Sequence, residues 1–138
     1  MKKSCCALFI LTIILFGSCQ NKSKKNQNES SGNPCTAVVM EILTTSPLYL
    51  EKTNGLEATI IKNGGTSFGI TVINPDDNST GNYELLLHEN YPDRTVEIAT
   101  FIFNPSEKQL YEYDVIEDRL IPLDFNKKLL AKFDEVCQ

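Results

Sequence analysis

The chain has 138 residues, a length that fits one folded domain once its N-terminal segment is set aside. From Pro34 onward it carries 8 Lys and Arg against 17 Asp and Glu, a net charge of −9. Nucleic acid is disfavoured as a partner because phosphate contacts need cations, whereas an acidic surface favours encounter with basic partners. No motif names a reaction, and we expect no cofactor and no metal site.

Residues 1–18 are predicted to be an export signal. Lys2 and Lys3 form its basic start, and the apolar run from Ala7 to Phe16 follows. Ten residues are too few to cross a bilayer core of about 30 Å, so this run fits the apolar region of a signal better than a membrane span.

The tripeptide Gly17-Ser18-Cys19 follows the apolar run. It resembles the lipobox of bacterial lipoproteins, with Phe16 where that motif usually has Leu. The resemblance implies lipid on the Cys19 sulfur, cleavage just before Cys19 and acylation of the new amino group, which together anchor a protein stably. By the same resemblance, Gln20 implies sorting to the outer membrane. The alternative is an ordinary cleaved signal.

Residues 19–33 are predicted to be the lipidated cysteine and a flexible tether. The stretch from Gln20 to Asn33 has no apolar residue and cannot bury enough surface to fold. If flexible, it has a mean reach of about 20 Å. Its lysines, Lys22, Lys24 and Lys25, either contact anionic head groups or belong to a solvated linker.

The chain has five cysteines, of which Cys5 and Cys6 leave with the signal. Cys35 and Cys137 remain at opposite ends of the folded region. An exported protein meets an oxidising compartment, so we predict a disulfide between them, with two buried free thiols as the alternative. Closing a loop of about 100 residues is worth roughly 4–5 kcal/mol in the chain-entropy model.

Residues 34–138 are predicted to form a single α+β domain. A first helix begins at Pro34 with Asn33 as its N-cap, and its apolar residues recur at helical spacing in Cys35, Val38, Val39, Ile42 and Leu43. A last helix, capped by Asp124 or Asn126, has the same spacing in Leu129, Leu130, Phe133, Val136 and Cys137. The segment Pro47–Gly65 is ambiguous between helix and hairpin, and we favour helix.

Four strands are predicted at Phe68–Ile73, Tyr83–His88, Val96–Phe103 and Leu110–Ile116. A fifth, at Leu120–Phe125, contains Pro122 and therefore fits only an edge. Gly69 is predicted to form a bulge. The order of elements indicates a mostly antiparallel sheet of four to five strands, with the N-terminal and C-terminal helices packed on one face.

Three groups of residues are weighed as sites. His88, the only histidine, could be a general base, but no motif places a nucleophile beside it, and a place on a strand is the plainer interpretation. Asp76-Asp77-Asn78-Ser79-Thr80-Gly81 begins like a calcium loop, yet position twelve is Leu87 rather than Glu, which favours a polar turn.

The last group lies on the fourth predicted strand. Glu112 and Asp114, followed by Glu117 and Asp118, could act as paired carboxylates on a glycoside, but a solvated face is the commoner role. Tyr111 and Tyr113, with Val115, share the opposite face of that strand. We expect them to face the core because the other side is acidic, rather than to form a stacking platform for a sugar.

The segment from Phe103-Asn104-Pro105 through Leu110–Asp114 to Leu129-Leu130 resembles the C-terminal part of small, uncharacterised envelope lipoproteins. The resemblance implies fold and location but no activity. We expect a non-enzymatic, membrane-anchored envelope protein that binds another protein, either as part of an envelope complex or as an inhibitor or immunity protein against a basic cell-wall hydrolase. The alternatives are a small hydrolase using His88 or the acidic cluster, and a purely structural surface lipoprotein.

Overall fold

The computed structural model describes residues 33–77 and 80–137, and its helices and strands form an α+β fold, as predicted. The predicted signal of residues 1–18, Cys19 and most of the predicted tether lie outside the described residues. The helices are α1 Pro34–Thr44, α2 Pro47–Thr53, α3 Leu56–Lys62 and α4 Leu129–Val136. The strands are β1 Ser67–Ile73, β2 Tyr83–Asn90, β3 Thr95–Asn104, β4 Gln109–Asp114 and β5 Arg119–Leu123.

The five strands form one antiparallel sheet in the order of the sequence, β1-β2-β3-β4-β5. The short edge strand β5 contains Pro122, as predicted, because an edge position leaves the missing N–H without a required partner. The segment from Pro47 is helical, as favoured above, and α3 ends where Gly64 adopts a φ of +86°.

The helices pack on one face of this sheet and enclose the core. Sheet residues fully buried there are Leu85, Leu87, Phe101, Phe103 and Leu110. The helices contribute Val39, Ile42 and Leu43 from α1 and Phe133 from α4. The rings of Phe103 and Phe133 meet edge to face with centroids 5.0 Å apart, a preferred aromatic geometry. Among the described residues, no helix has the length and apolar character needed to cross a bilayer.

The ends of the domain are joined at α1 and α4. The Asn33 side chain accepts a hydrogen bond from the Cys35 N–H at 2.9 Å, which caps α1 as predicted. The predicted disulfide between Cys35 and Cys137 is present, with 5.2 Å between the two Cα atoms. Since Glu41 also pairs with Lys132 at 2.6 Å, the two helices run antiparallel.

The predicted bulge at Gly69 is wrong. Gly69 pairs regularly with His88, and the irregularity lies between β2 and β3. Leu87 pairs with Ala99 and His88 with Glu97, so Ile98 is the extra residue. Gly69 instead makes room for a ring, because a Cβ there would lie 3.0 Å from Cε1 of His88.

Candidate functional site

The candidate site is the face of the sheet turned away from the helices, which we call the open face. Side chains alternate along a strand, so the register assigns residues to this face in rows. One row crosses all five strands through Ile73, Glu84, Ile102, Tyr111 and Pro122. The next row contains Thr71, Leu86, Thr100, Tyr113 and Leu120. None of these side chains belongs to the buried core.

The orientation predicted for β4 is wrong, because Tyr111 and Tyr113 lie on the open face. Leu110 is completely buried on the helix face, and the alternation carries Glu112 to the same side. Glu112 is accommodated there by a salt bridge of 2.9 Å to Lys52 of α2. The acidic side of the strand therefore faces the helices, and the tyrosines lie on the face that no described helix covers.

The predicted acidic cluster is divided among separate structural roles. Asp114 accepts hydrogen bonds from the backbone N–H groups of Ile116 at 3.0 Å and Glu117 at 3.2 Å, which closes the turn between β4 and β5. Glu112 pairs with Lys52 on the helix side. Each of these two carboxylates is therefore engaged in a structural contact.

Two carboxylates outside the strands hold the tyrosines of the open face. Tyr113 donates its O–H to Asp118 at 2.6 Å, and Tyr111 donates to Glu107. The hydrogen bond to Asp118, with the charge of that carboxylate, raises the pKa of Tyr113, and the bond to Glu107 does the same for the pKa of Tyr111. Both phenols are therefore harder to ionise than an unperturbed tyrosine.

Charge is divided between the two sides of the sheet. The strand positions of the open face include the carboxylates of Glu84 and Glu97 and, among the described residues, no lysine or arginine. Lysines instead pair with carboxylates on the helix side, in the salt bridges Lys52–Glu112, Lys108–Asp134 and Lys132–Glu41. The open face thus combines apolar and aromatic side chains with negative charge.

His88 lies on the open face next to the edge strand. Its Nε2 is 3.1 Å from Oγ1 of Thr71, within hydrogen-bond distance. Its Nδ1 is buried and has no hydrogen-bond partner among the described residues. A catalytic histidine is usually oriented by an acceptor on the second nitrogen, and no such acceptor is present in the described part of the chain.

The segment that resembles a calcium loop follows β1 as a turn. Pro75–Asp77 form one turn of 3-10 helix, and Asn78 and Ser79 lie outside the described residues. Leu87, at the twelfth position of the loop pattern, is completely buried in the core. In the described ranges, no three His, Cys, Asp or Glu side chains come together as a metal cluster.

Sequence reasoning missed the role of Asn74, which directly precedes this turn. Its Oδ1 accepts a hydrogen bond of 2.7 Å from the Thr36 hydroxyl, and its Nδ2 donates to Asp77 at 3.3 Å. Asn74 therefore ties the β1–β2 connection to α1. The only signal in the sequence was its place before Pro75 at the end of a strand.

A pocket of about 340 Å³ opens beside the disulfide. Its walls include Tyr83, Phe133 and Pro105, and Asp76 and Asn74 supply polar atoms. Burial raises the pKa of Tyr83, and the charge of Asp76 raises it further. The lining residues include no cation, so this pocket shares the acidic character of the open face.

No family model, no curated protein and no solved structure matches this chain.

Proposed function

We propose that this chain is a lipid-anchored, non-enzymatic protein of the cell envelope that binds a basic protein partner through the open face. Two forms of this function fit. In one, the protein is an anchored component of an envelope complex, and in the other it is an inhibitor or immunity protein against a basic cell-wall hydrolase. The lipobox-like Gly17-Ser18-Cys19 supports the anchor and the envelope as the compartment, and Gln20 supports the outer membrane as its site.

The single observation that carries the binding function is the composition of the open face. Ile102, Tyr111 and Leu86 give it an apolar surface with one aromatic side chain, and tyrosine is enriched among the residues that dominate binding energies at protein interfaces. Glu84 and Glu97, with no lysine or arginine at the strand positions described, complement a positive surface. A basic partner would bury the apolar side chains and pair with these carboxylates.

The inhibitor form is tested by mixing the full-length chain in detergent with lysozyme as the basic hydrolase. We expect binding that weakens steeply with salt and a loss of lysozyme activity when the protein is in excess. Full lysozyme activity under those conditions would rule out inhibition of this enzyme. Capture by crosslinking in the native envelope then distinguishes the two forms, because an inhibitor recovers one basic enzyme and a complex component recovers a multi-subunit assembly.

Matched variants assign the binding to the open face. Tyr111→Ala on the open face should weaken binding to the captured partner about tenfold or more. Leu50→Ala, which removes an apolar side chain that is 55% exposed on α2, should leave it unchanged. Likewise Glu97→Gln should reduce the salt dependence of binding, whereas Glu57→Gln on α3 should not. Equal losses of affinity for Tyr111→Ala and Leu50→Ala would place the binding surface elsewhere. Equal reductions in salt dependence for Glu97→Gln and Glu57→Gln would do the same.

A small hydrolase using His88 is the alternative function, and one contact favours it. The 3.1 Å approach of Thr71 Oγ1 to His88 Nε2 joins a hydroxyl to a base. A His88→Ala variant that keeps every phenotype of the parent chain would remove this alternative. A loss of turnover with partner binding intact would support it against the binding function.

A further inference from the structure

The two edges of the sheet differ in their protection against pairing with another strand. Edge strands offer unpaired N–H and C=O groups, and proteins usually protect them with short length, charged residues, proline or bulges. β5 has five residues and contains both Arg119 and Pro122. β1 has seven residues, Ser67–Ile73, with no charge, no proline and a regular register to β2. β1 therefore lacks the short length, charge, proline and bulge that protect many edge strands.

The outer side of β1 carries backbone N–H and C=O groups that no described strand pairs. β1 pairs with β2 on one side, and no other described strand lies beside it. In an antiparallel edge strand, every second residue directs its N–H and C=O away from the neighbouring strand. Those groups can form hydrogen bonds with an added strand.

We propose that β1 pairs antiparallel with β1 of a second copy of this chain, so that two five-stranded sheets join into one continuous sheet. The pairing is centred on Ile70, which opposes itself across a two-fold axis. Phe68 then opposes Val72 on the helix face, and Gly69 opposes Thr71 on the open face. Each pair joins residues that lie on the same face of their own sheets. The helix face and the open face of one copy therefore continue into those of the other.

Charge and exposed apolar surface both favour a second copy as the occupant. From Pro34 onward each copy has a net charge of −9, so contact between copies is least opposed where the surface is neutral, and β1 has no charged residue. α3 packs beside β1 and leaves Ile61 56% exposed. A second copy at this edge brings two such isoleucines to the same side of the joined sheet.

The size of the full-length chain in detergent tests this inference by sedimentation. We expect a dimer for the parent chain. Thr71→Glu should weaken self-association about tenfold or more, because each copy then adds a carboxylate at the neutral edge. Thr71→Gln is the matched control, since it loses the same contact to His88 without the charge, and it should remain dimeric. Circular dichroism confirms that both variants fold.

Crosslinking in the native membrane tests the register independently. Ile70→Cys should form a disulfide-linked dimer on mild oxidation, because position 70 opposes itself. Ile121→Cys, at the centre of the protected edge strand β5, is the matched control and should remain unlinked. A monomeric parent chain, equal crosslinking at both positions, or a dimer unaffected by Thr71→Glu would overturn the inference. Exclusive crosslinking of position 70 to a different protein would overturn it as well.

Discussion

Glu112 of β4 and Lys52 of α2 form a salt bridge of 2.9 Å that joins the sheet to the helix layer. This contact shows which side of β4 faces inward, together with the complete burial of Leu110 two residues earlier. Tyr111 and Tyr113 therefore lie on the face that no described helix covers, whereas Leu110 and Glu112 point toward the helices.

The orientation of β4 predicts that alanine substitutions on its two faces have unequal effects on stability. Leu110→Ala should lower the free energy of unfolding by about 2–5 kcal/mol, because it leaves a cavity in the core. Tyr113→Ala should lower it by about 1 kcal/mol, as expected for a residue outside the core. Urea unfolding followed by circular dichroism measures both values. A larger loss for Tyr113→Ala than for Leu110→Ala would contradict the orientation.

Sequence patterns predicted the elements of this fold better than its faces. The α1 stripe and the Asn33-Pro34 start were sufficient because helical spacing and capping are local properties. The face toward which each β4 side chain points was not a local property. Glu112 faces the helices because Lys52 of α2, sixty positions away, forms a salt bridge with it. Gly69 was misread for the same reason, because the ring that requires it comes from His88 on the next strand.

The disulfide between Cys35 and Cys137 predicts a large change in stability on its removal. The bond closes a loop spanning 102 positions, and its loss should lower the free energy of unfolding by roughly 4–5 kcal/mol in the chain-entropy model. The variant Cys35→Ser with Cys137→Ser leaves Cys19 intact and is compared with the parent chain in urea. A reductant should destabilise the parent by the same amount and have no effect on the variant. Equal stability of parent and variant would contradict this role.

The contact between Gly69 and His88 predicts coupling between two substitutions. Gly69→Ala should destabilise the parent by about 1–3 kcal/mol, because its Cβ meets His88 Cε1 at 3.0 Å. In a His88→Ala background the ring is absent, and the cost of Gly69→Ala should fall to a few tenths of a kcal/mol. A double-mutant cycle measured by urea unfolding gives the coupling directly. Additive effects would mean that Gly69 is required for a reason other than space for the ring.

The tyrosines of the open face predict a loss of stability at alkaline pH. The hydrogen bond from Tyr113 to Asp118 and the nearby carboxylate charge raise the pKa of this phenol above that of the unfolded chain, which is about 10. Because the folded form holds the proton more tightly, this contribution to stability is fully present below pH 10 and is lost as the pH rises through the raised pKa. Asp118→Asn removes the charge and should return the pKa toward its ordinary value. Absorbance titration of tyrosinate measures the change, with Tyr113→Phe assigning the transition. An unchanged titration in Asp118→Asn would show that Asp118 does not hold the phenol in solution.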